Sequence, residues 1–427
     1  MKTSLDPATL AAVERRLADH DRHLEAAYPG DDGTRQPVHT VYVPAHRYAA
    51  GLAETWGARA REALAEHGTD ALLEAVGVRA DLRPAVAARV EAKLVAEPVE
   101  DLRIDLEDGY GTHPDEDEDE VTVAAAAALR TELDEGLATP FVGIRFKCFE
   151  SPTRARALRT LDLFLTTLAA SGELPAGLVV TLPKVTAVAQ VEAMAHICHR
   201  FEEHYHLNPG RLRFEVQVET PQLILGPDGT SPLAAAIHAA EGRVSGLHYG
   251  TYDYSASLGI AAAYQSMEHP AADHAKNVMQ VAAAQTGVRL SDGSTNILPV
   301  GDDDAVRTAW RLSARLTRRS LERGYYQGWD LHPAQLVPRF VANTLFYRQG
   351  FAAAATRLRN YVYRVESAVM DEPATARALA AFVLRGIACG AVTEAEVQDA
   401  AGIDLASLNA LAHPKLATTL ITTQESA

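Results

Sequence analysis

Two carboxylates that end neighbouring apolar runs, Glu219 and Asp253, have the chemistry and the setting to hold a divalent cation. The segment Arg213-Phe-Glu-Val-Gln-Val-Glu219 alternates strictly, with Phe214, Val216 and Val218 on one face and Glu215, Gln217 and Glu219 on the other. In a sheet covered by helices the apolar face points outward, which sends the carboxylates inward, where an uncompensated charge costs several kcal/mol. A cation offsets that cost. For Glu215, deeper in the strand, a structural Arg or Lys is the expected partner; for Glu219, at the strand end, it is a metal. Asp253 comes after the next apolar run, in Leu247-His-Tyr-Gly-Thr-Tyr-Asp-Tyr254. Alone it would read as a helix N-cap. Beside Glu219 it completes a carboxylate pair, and such pairs hold Mg2+ with the other positions left to water and substrate oxygens.

In Phe141–Lys147 the alternation puts Gly143, Arg145 and Lys147 on one face, so Arg145 points inward. Its planar fork suits a substrate carboxylate or a developing oxyanion, and it cannot lose its charge. An internal salt bridge to Glu215 or Asp105 is the alternative. Arg103-Ile-Asp-Leu-Glu-Asp108 carries three carboxylates in four positions next to the same mouth, and some of these would act through water or through another ligand. Lys184 could form a Schiff base with a carbonyl substrate, or simply an ion pair. The general base is open among His46, Glu107, Asp108, Asp330 and His332, and His332 serves equally well as a structural residue before Pro333.

The elements that must position these groups are short β-branched runs alternating with helical stretches, the pattern of parallel strands joined by crossover helices. Eight strands are predicted: Val41–Pro44, Leu102–Glu107, Phe141–Lys147, Leu178–Val185, Arg213–Glu219, Val244–Tyr249, one within Val288–Val300, and Tyr326–Leu331. The expected fold is an α/β (β/α)8 TIM barrel, with catalytic groups at the C-terminal strand ends. Residues 1–345 form this catalytic domain, including an N-terminal helical cover marked by Leu10, Val13, Leu17 and Leu24. Residues 346–427 form a helical C-terminal extension. Residues 66–100 read as a helical insertion, and the acidic run Asp115–Glu120 reads as a solvated loop.

Composition narrows the function. A net charge of −16, from 56 acidic and 40 basic residues, argues against nucleic acid and anionic membranes as partners. Cys148, Cys198 and Cys389 are far apart and form no C-x-x-C pair, so neither a disulfide framework nor a zinc site is indicated. With no apolar run of about 18 residues and no signal-like start, a soluble, cytoplasmic protein is expected.

Seven ordered motifs carry a resemblance. They are Val41-Tyr-Val-Pro-Ala-His-Arg47, Asp105-Leu-Glu-Asp108, Ile144-Arg-Phe146, Leu182-Pro-Lys-Val185, Gln217-Val-Glu-Thr220, Gly250-Thr-Tyr-Asp253 with Ser257-Leu-Gly259, and Gly328-Trp-Asp-Leu-His-Pro333. Over residues 40–335 the chain resembles the citrate lyase beta subunit and malyl-CoA lyase (HpcH/HpaI aldolase) family of pyruvate-type barrels. The resemblance implies Mg2+, or Mn2+ in its place, on Glu219 and Asp253. Arg145 would contact the substrate carboxylate or oxo group, with Arg47, Lys184, Thr251 and Tyr252 as further substrate-binding residues and Glu107, Asp108 and Asp330 beside Arg145 in the catalytic set. It also implies a carbon–carbon lyase acting on a 2-oxo or hydroxy acid, free or as a CoA thioester, and a homo-oligomer, a trimer or hexamer, in which the C-terminal segment lids a neighbour. A long tail or the 66–100 insertion over the mouth would favour free acids. The alternatives are a thioester hydrolase on the same metal site and a non-catalytic barrel that binds a small acid.

Overall fold

The computed structural model describes residues 4–170, 172–365 and 371–416. Eight parallel strands stand at its centre: β1 (Thr40–Pro44), β2 (Asp101–Asp105), β3 (Phe141–Arg145), β4 (Val179–Leu182), β5 (Arg213–Val218), β6 (Val244–Tyr249), β7 (Arg289–Ser291) and β8 (Trp329–Asp330). Their order is β7-β6-β5-β4-β3-β2-β1-β8. A parallel bridge between Ser291 and Gln327 joins the two ends, supported by the Asp292 N–H donating to the Gln327 carbonyl at 2.8 Å. The chain is a (β/α)8 TIM barrel. β7 is only three residues of the predicted window, and side chains help to hold the chain beyond Ser291. Asp292 accepts from Lys276 at 3.0 Å and from Ser320 at 2.6 Å, and the Asn296 N–H donates to the Tyr252 hydroxyl at 2.6 Å.

Alternation divides the strands as the sequence requires. Val41, Val43, Leu102, Ile104, Ile144, Phe214 and Val216 are buried in the main apolar cluster, while Arg103, Thr181, Glu215, His248 and Trp329 bond to one another across the barrel interior. Gly143 is required for closure: a Cβ there would sit 1.6 Å from the Val179 carbonyl oxygen, so β3 and β4 approach more closely than any side chain permits. Arg103 donates to Asp101 at 2.8 and 3.0 Å and to Glu215 at 2.9 Å, and His248 Nε2 meets Glu215 at 3.0 Å. Burial pushes the Glu215 carboxyl up, but Arg103 and His248 outweigh it and hold it at about 2. Glu215 thus has the structural arginine expected of it.

The outer elements depart from expectation in two places, while the 66–100 insertion is helical as expected. The acidic run Asp115–Glu120 is not a loop but opens the helix Asp115–Glu135, where carboxylates suit the N-terminal dipole; Glu118 is buried against Lys147 at 2.6 Å. The helix Pro7–Ala27 buries no residue, and Leu10, Val13, Leu17 and Leu24 stay exposed, so its apolar stripe does not rest on the barrel. The 66–100 insertion forms helices Thr69–Ala75 and Arg83–Ala96, and Arg89 on the second donates to the Ala391 carbonyl at 3.1 Å.

Beyond the 31-residue helix Pro333–Tyr363, the helices Pro373–Ala388, Glu394–Ala401 and Leu405–Ala412 gather a second apolar cluster that includes Leu358, Val383, Val397 and Leu408. Arg385 of this unit stacks on Tyr326, just ahead of β8, at 4.1 Å, so the unit meets the barrel at the N-terminal pole and not over the mouth. Residues 366–370 and 417–427 of the expected extension lie outside the described residues. Among the described residues, no helix is long and apolar enough to cross a membrane.

Candidate active site

Glu219 leaves β5 directly into the mouth, and Gly250, which follows β6, makes room for it. A Cβ at Gly250 would lie 2.3 Å from Glu219 Oε2. Glu219 is 2% exposed, and its Oε1 accepts the backbone N–H of Lys184 at 2.7 Å. Lys184 takes φ +49, a left-handed conformation uncommon for a side chain of this kind. That turn aims its N–H at Glu219 and its ammonium at the β2 loop: Nζ lies 2.5 Å from Glu107, 2.9 Å from Asp108 and 3.6 Å from Asp253. Asp253 sits in the first turn of the helix Thr251–Ser257, its side chain 42% exposed.

Asp105 organises the other side. It accepts the backbone N–H groups of Glu107 at 3.0 Å and Gly109 at 2.8 Å, and a Cβ at Gly109 would come within 2.5 Å of its Oδ2. The same carboxylate takes Arg145 in a two-pronged bond, Nε at 2.7 Å and Nη2 at 2.6 Å. Arg145 therefore forms the internal salt bridge to Asp105, and its remaining Nη1 faces Glu107 at 3.5 Å and Asp108 at 3.8 Å. The guanidinium lies 4.8 Å from the Tyr42 ring centroid, a cation–π contact.

Five carboxylates, Asp105, Glu107, Asp108, Glu219 and Asp253, thus meet two permanent cations, Arg145 and Lys184. The excess shows in their acidities. Burial first, with help from Asp253 and Glu107, pushes the Glu219 carboxyl up to about 8 despite Lys184. Burial and the adjacent Asp108 raise Glu107 to about 7. Asp108, although burial opposes it, is drawn below its ordinary range by its bond to Glu107 and by Arg145 and Lys184. Neighbouring carboxyls driven apart in this way are how acid and base roles become separated. Lys184 is raised above its ordinary range: burial would lower it, but Glu219 and Glu107 outweigh that effect. Its ammonium stays protonated, which disfavours Schiff-base chemistry.

The remaining predicted residues are not all brought here. Asp330 is buried on the outer side of β8, with His39 Nδ1 at 2.8 Å and Arg339 Nε at 2.5 Å. Trp329 takes the interior instead, its ring 4.6 Å from that of Tyr42, so alternation turns Asp330 away from Glu219. Thr251 is buried and donates to the Ser294 carbonyl at 3.4 Å, while the Tyr252 hydroxyl is engaged by Asn296. Arg47 is exposed on the turn after β1, next to His46, which packs 5.7 Å from Tyr110. His332 caps the helix Pro333–Tyr363, accepting from Ala334 N–H at 3.2 Å. Sequence reasoning misses Asp105 as the organiser of the site, although it shares the inward face of β2 with Asp101 and Arg103.

A metal cage is not pre-assembled: among the described residues no three His, Cys, Asp or Glu side chains converge to hold an ion. The donors nonetheless fit a hard cation. They are all oxygens, Glu219 is buried with a single described hydrogen-bond donor, and Mg2+ keeps several waters and needs only one or two carboxylates.

Solved structures match this chain at low identity and with TM-scores below 0.5. A Haloferax volcanii malate synthase structure, as a lead(II) complex, matches at 15% identity with a TM-score of 0.48 over 91% of both chains. CitE from Mycobacterium tuberculosis, in complex with magnesium, acetoacetate and coenzyme A, matches at 17% and 0.46 over 84% of this chain and 99% of that one. A HpcH/HpaI aldolase/citrate lyase family protein from Burkholderia cenocepacia matches at 16% and 0.37 over 74% of this chain and 95% of that one. No curated protein matches the sequence. A family model does, over residues 17–416, and by it the chain belongs to the family described as a domain of unknown function, DUF6986.

Proposed function

We propose that this protein is a divalent-metal-dependent carbon–carbon lyase of the aldolase type, acting on a 2-oxo or hydroxy acid, free or as a CoA thioester. One observation carries the reading: a buried carboxylate, Glu219, at the centre of five carboxylates that only two cations offset. The ordered motifs of the citrate lyase beta and HpcH/HpaI type support it independently. Glu219 and Asp253 would hold Mg2+ or Mn2+, which supplies Lewis-acid polarisation of a substrate carbonyl and stabilisation of the enolate left by bond scission.

The side chains of the site supply the rest. Arg145, held rigid by Asp105 and Tyr42, presents Nη1 to an incoming carboxylate or to charge that develops on oxygen, and a preoriented donor of this kind gains most in the transition state. Lys184 offers a second fixed positive charge across the mouth. Glu107, with its carboxyl near neutrality, is placed to hold or release the proton that the carbanionic fragment exchanges, and Asp108 remains ionised beside it. Arg47, exposed at the rim, is available to an anionic group farther out on the substrate.

Isothermal titration of metal-stripped protein with Mg2+, followed by glyoxylate, oxaloacetate or pyruvate, tests the proposal in wild type and Asp253→Ala. Wild type is expected to bind the acid only with metal, and the variant to bind neither. Equal binding of acid without metal would overturn the metal role. Release of free thiol from an acyl-CoA with its carbon skeleton intact would replace the lyase by a thioester hydrolase.

A further inference from the structure

The pole opposite the mouth holds a cavity of about 430 Å³, walled by residues at or just ahead of strand starts, among them Arg211, Arg213, Arg289 and Asp32. Its inner end reaches Arg103, Asp101 and Glu215, which satisfy one another. Toward the outside the balance changes. Arg211, Arg213 and Arg289 face a single wall carboxylate, Asp32, with Asp31 farther out and 4.0 Å from Arg385. On a chain of net charge −16 this is a local reversal of sign.

Each arginine is placed differently. Arg289 donates to the carbonyls of Arg35 at 2.5 Å and Thr34 at 2.7 Å, and sits 3.3 Å from Asp32, which fixes it in the wall. Arg211 donates to the carbonyls of Leu174 at 2.8 Å and Pro175 at 2.5 Å. Carbonyls accept hydrogen bonds but leave the positive charge unneutralised. Arg213 has only a 4.0 Å approach to Asp32 among the described ion pairs, its Nε is buried with no hydrogen-bond partner, and its side chain is 39% exposed. Burial depresses the Arg289 pKa below the ordinary arginine range despite Asp32 and Asp31, with repulsion from Arg213 adding to it, and burial does the same for Arg211 despite Glu202. An anion between these guanidiniums would relieve both effects and give Arg213 its missing acceptor.

We infer that this cavity is a second ligand site, which takes a small multiply charged oxyanion, a phosphate or a dicarboxylate, on Arg211, Arg213 and Arg289, separate from the mouth. The site does not depend on the lyase reading. It shares strand β5 with the mouth, since Arg213 opens the strand that Glu219 leaves.

The test is isothermal titration of the full chain, without divalent metal, using inorganic phosphate and succinate as probes, in wild type, Arg213→Glu and Lys184→Met. Saturable binding of at least one probe is expected, weakened at least tenfold in Arg213→Glu and unchanged in Lys184→Met. Phosphate alone binding would assign a phosphate ligand, and succinate alone a dicarboxylate. Absence of saturable binding in wild type, or loss in Lys184→Met with retention in Arg213→Glu, would overturn the inference. If Arg213→Glu does not keep the wild-type circular dichroism spectrum, Arg213→Gln takes its place; the expected loss is again at least tenfold, and unchanged affinity would overturn the site.

Discussion

Arg103 and Arg145 are both buried in the barrel and both held by an aspartate on β2, yet the layers around them balance charge in opposite ways. Around Arg103, Asp101 and Glu215 share one guanidinium, with His248 and Thr40 taking up the remaining oxygens. One step of alternation up the strands, Asp105 uses most of Arg145, and Glu107, Asp108, Glu219 and Asp253 are left to share its last nitrogen and Lys184. The acidities of the two glutamates diverge accordingly, although burial raises Asp101 despite Arg103. Glu215 is pulled down to about 2, whereas Glu219, farther along the same strand direction, is pushed up to about 8. A saturated layer gives the barrel its stability, and an unsaturated one gives it a demand for a ligand.

Breaking the saturated layer has the largest expected effect. Arg103→Met strands Asp101 and Glu215 as buried carboxylates, and losing one partner of a buried ion cluster costs about 3–5 kcal/mol. Urea unfolding monitored by circular dichroism should show a loss in that range. A loss below about 1 kcal/mol would mean that water enters the interior and screens the pair.

Acid probes the same layer. The unfolded Glu215 carboxyl titrates near its ordinary 4.5 and the folded one near 2, so between those values the unfolded chain binds the extra proton. The stabilisation is complete above about pH 4.5 and is lost as pH falls toward 2, roughly 3 kcal/mol in all. Glu215→Gln should flatten this part of a pH series of unfolding midpoints relative to wild type.

How far the two layers are legible in the sequence depends on strand length. β5, with six residues in strict alternation, declares its inward face, and Glu215 and Glu219 are recognisable as interior groups with different partners to seek. β8 has two residues, too few to establish parity, and the bulk of Trp329 rather than any pattern decides that Asp330 faces out toward Arg339. β7, at three residues, can be placed only within a window. Asp105 is within reach, since it continues the face of Asp101 and Arg103, but its neighbours Glu107 and Asp108 look like the freer carboxylates. The start of a helix at Asp115 is obscured by the density of like charge, which reads as solvation until Lys147 and Arg156 are seen across from it.

In the unsaturated layer the expected effects fall on chemistry before stability. Lys184→Met removes one of two cations and the positive edge of the mouth. Loss of a single charged group that acts on a developing charge costs on the order of a hundredfold in kcat/KM, or about 2.7 kcal/mol. The measurement is steady-state kinetics on whichever acid the titration identifies, with the unfolding midpoint as the control for the fold.

Asp253→Asn sharpens the contrast with the smallest change. Its side chain is 42% exposed and its nearest cation, Lys184, is 3.6 Å away and already engaged by Glu107 and Asp108, so the ion pair lost is weak. At the same time the substitution removes a negative charge that works against ionised Glu219. The metal-free protein should therefore be unchanged or more stable, by less than about 1 kcal/mol, while Mg2+ affinity falls. Measuring thermal midpoints with and without Mg2+ separates the two contributions, because a ligand-holding carboxylate is one whose removal costs the protein only when the ligand is present. A drop in the metal-free midpoint as large as that of Arg103→Met would place Asp253 with the saturated layer instead.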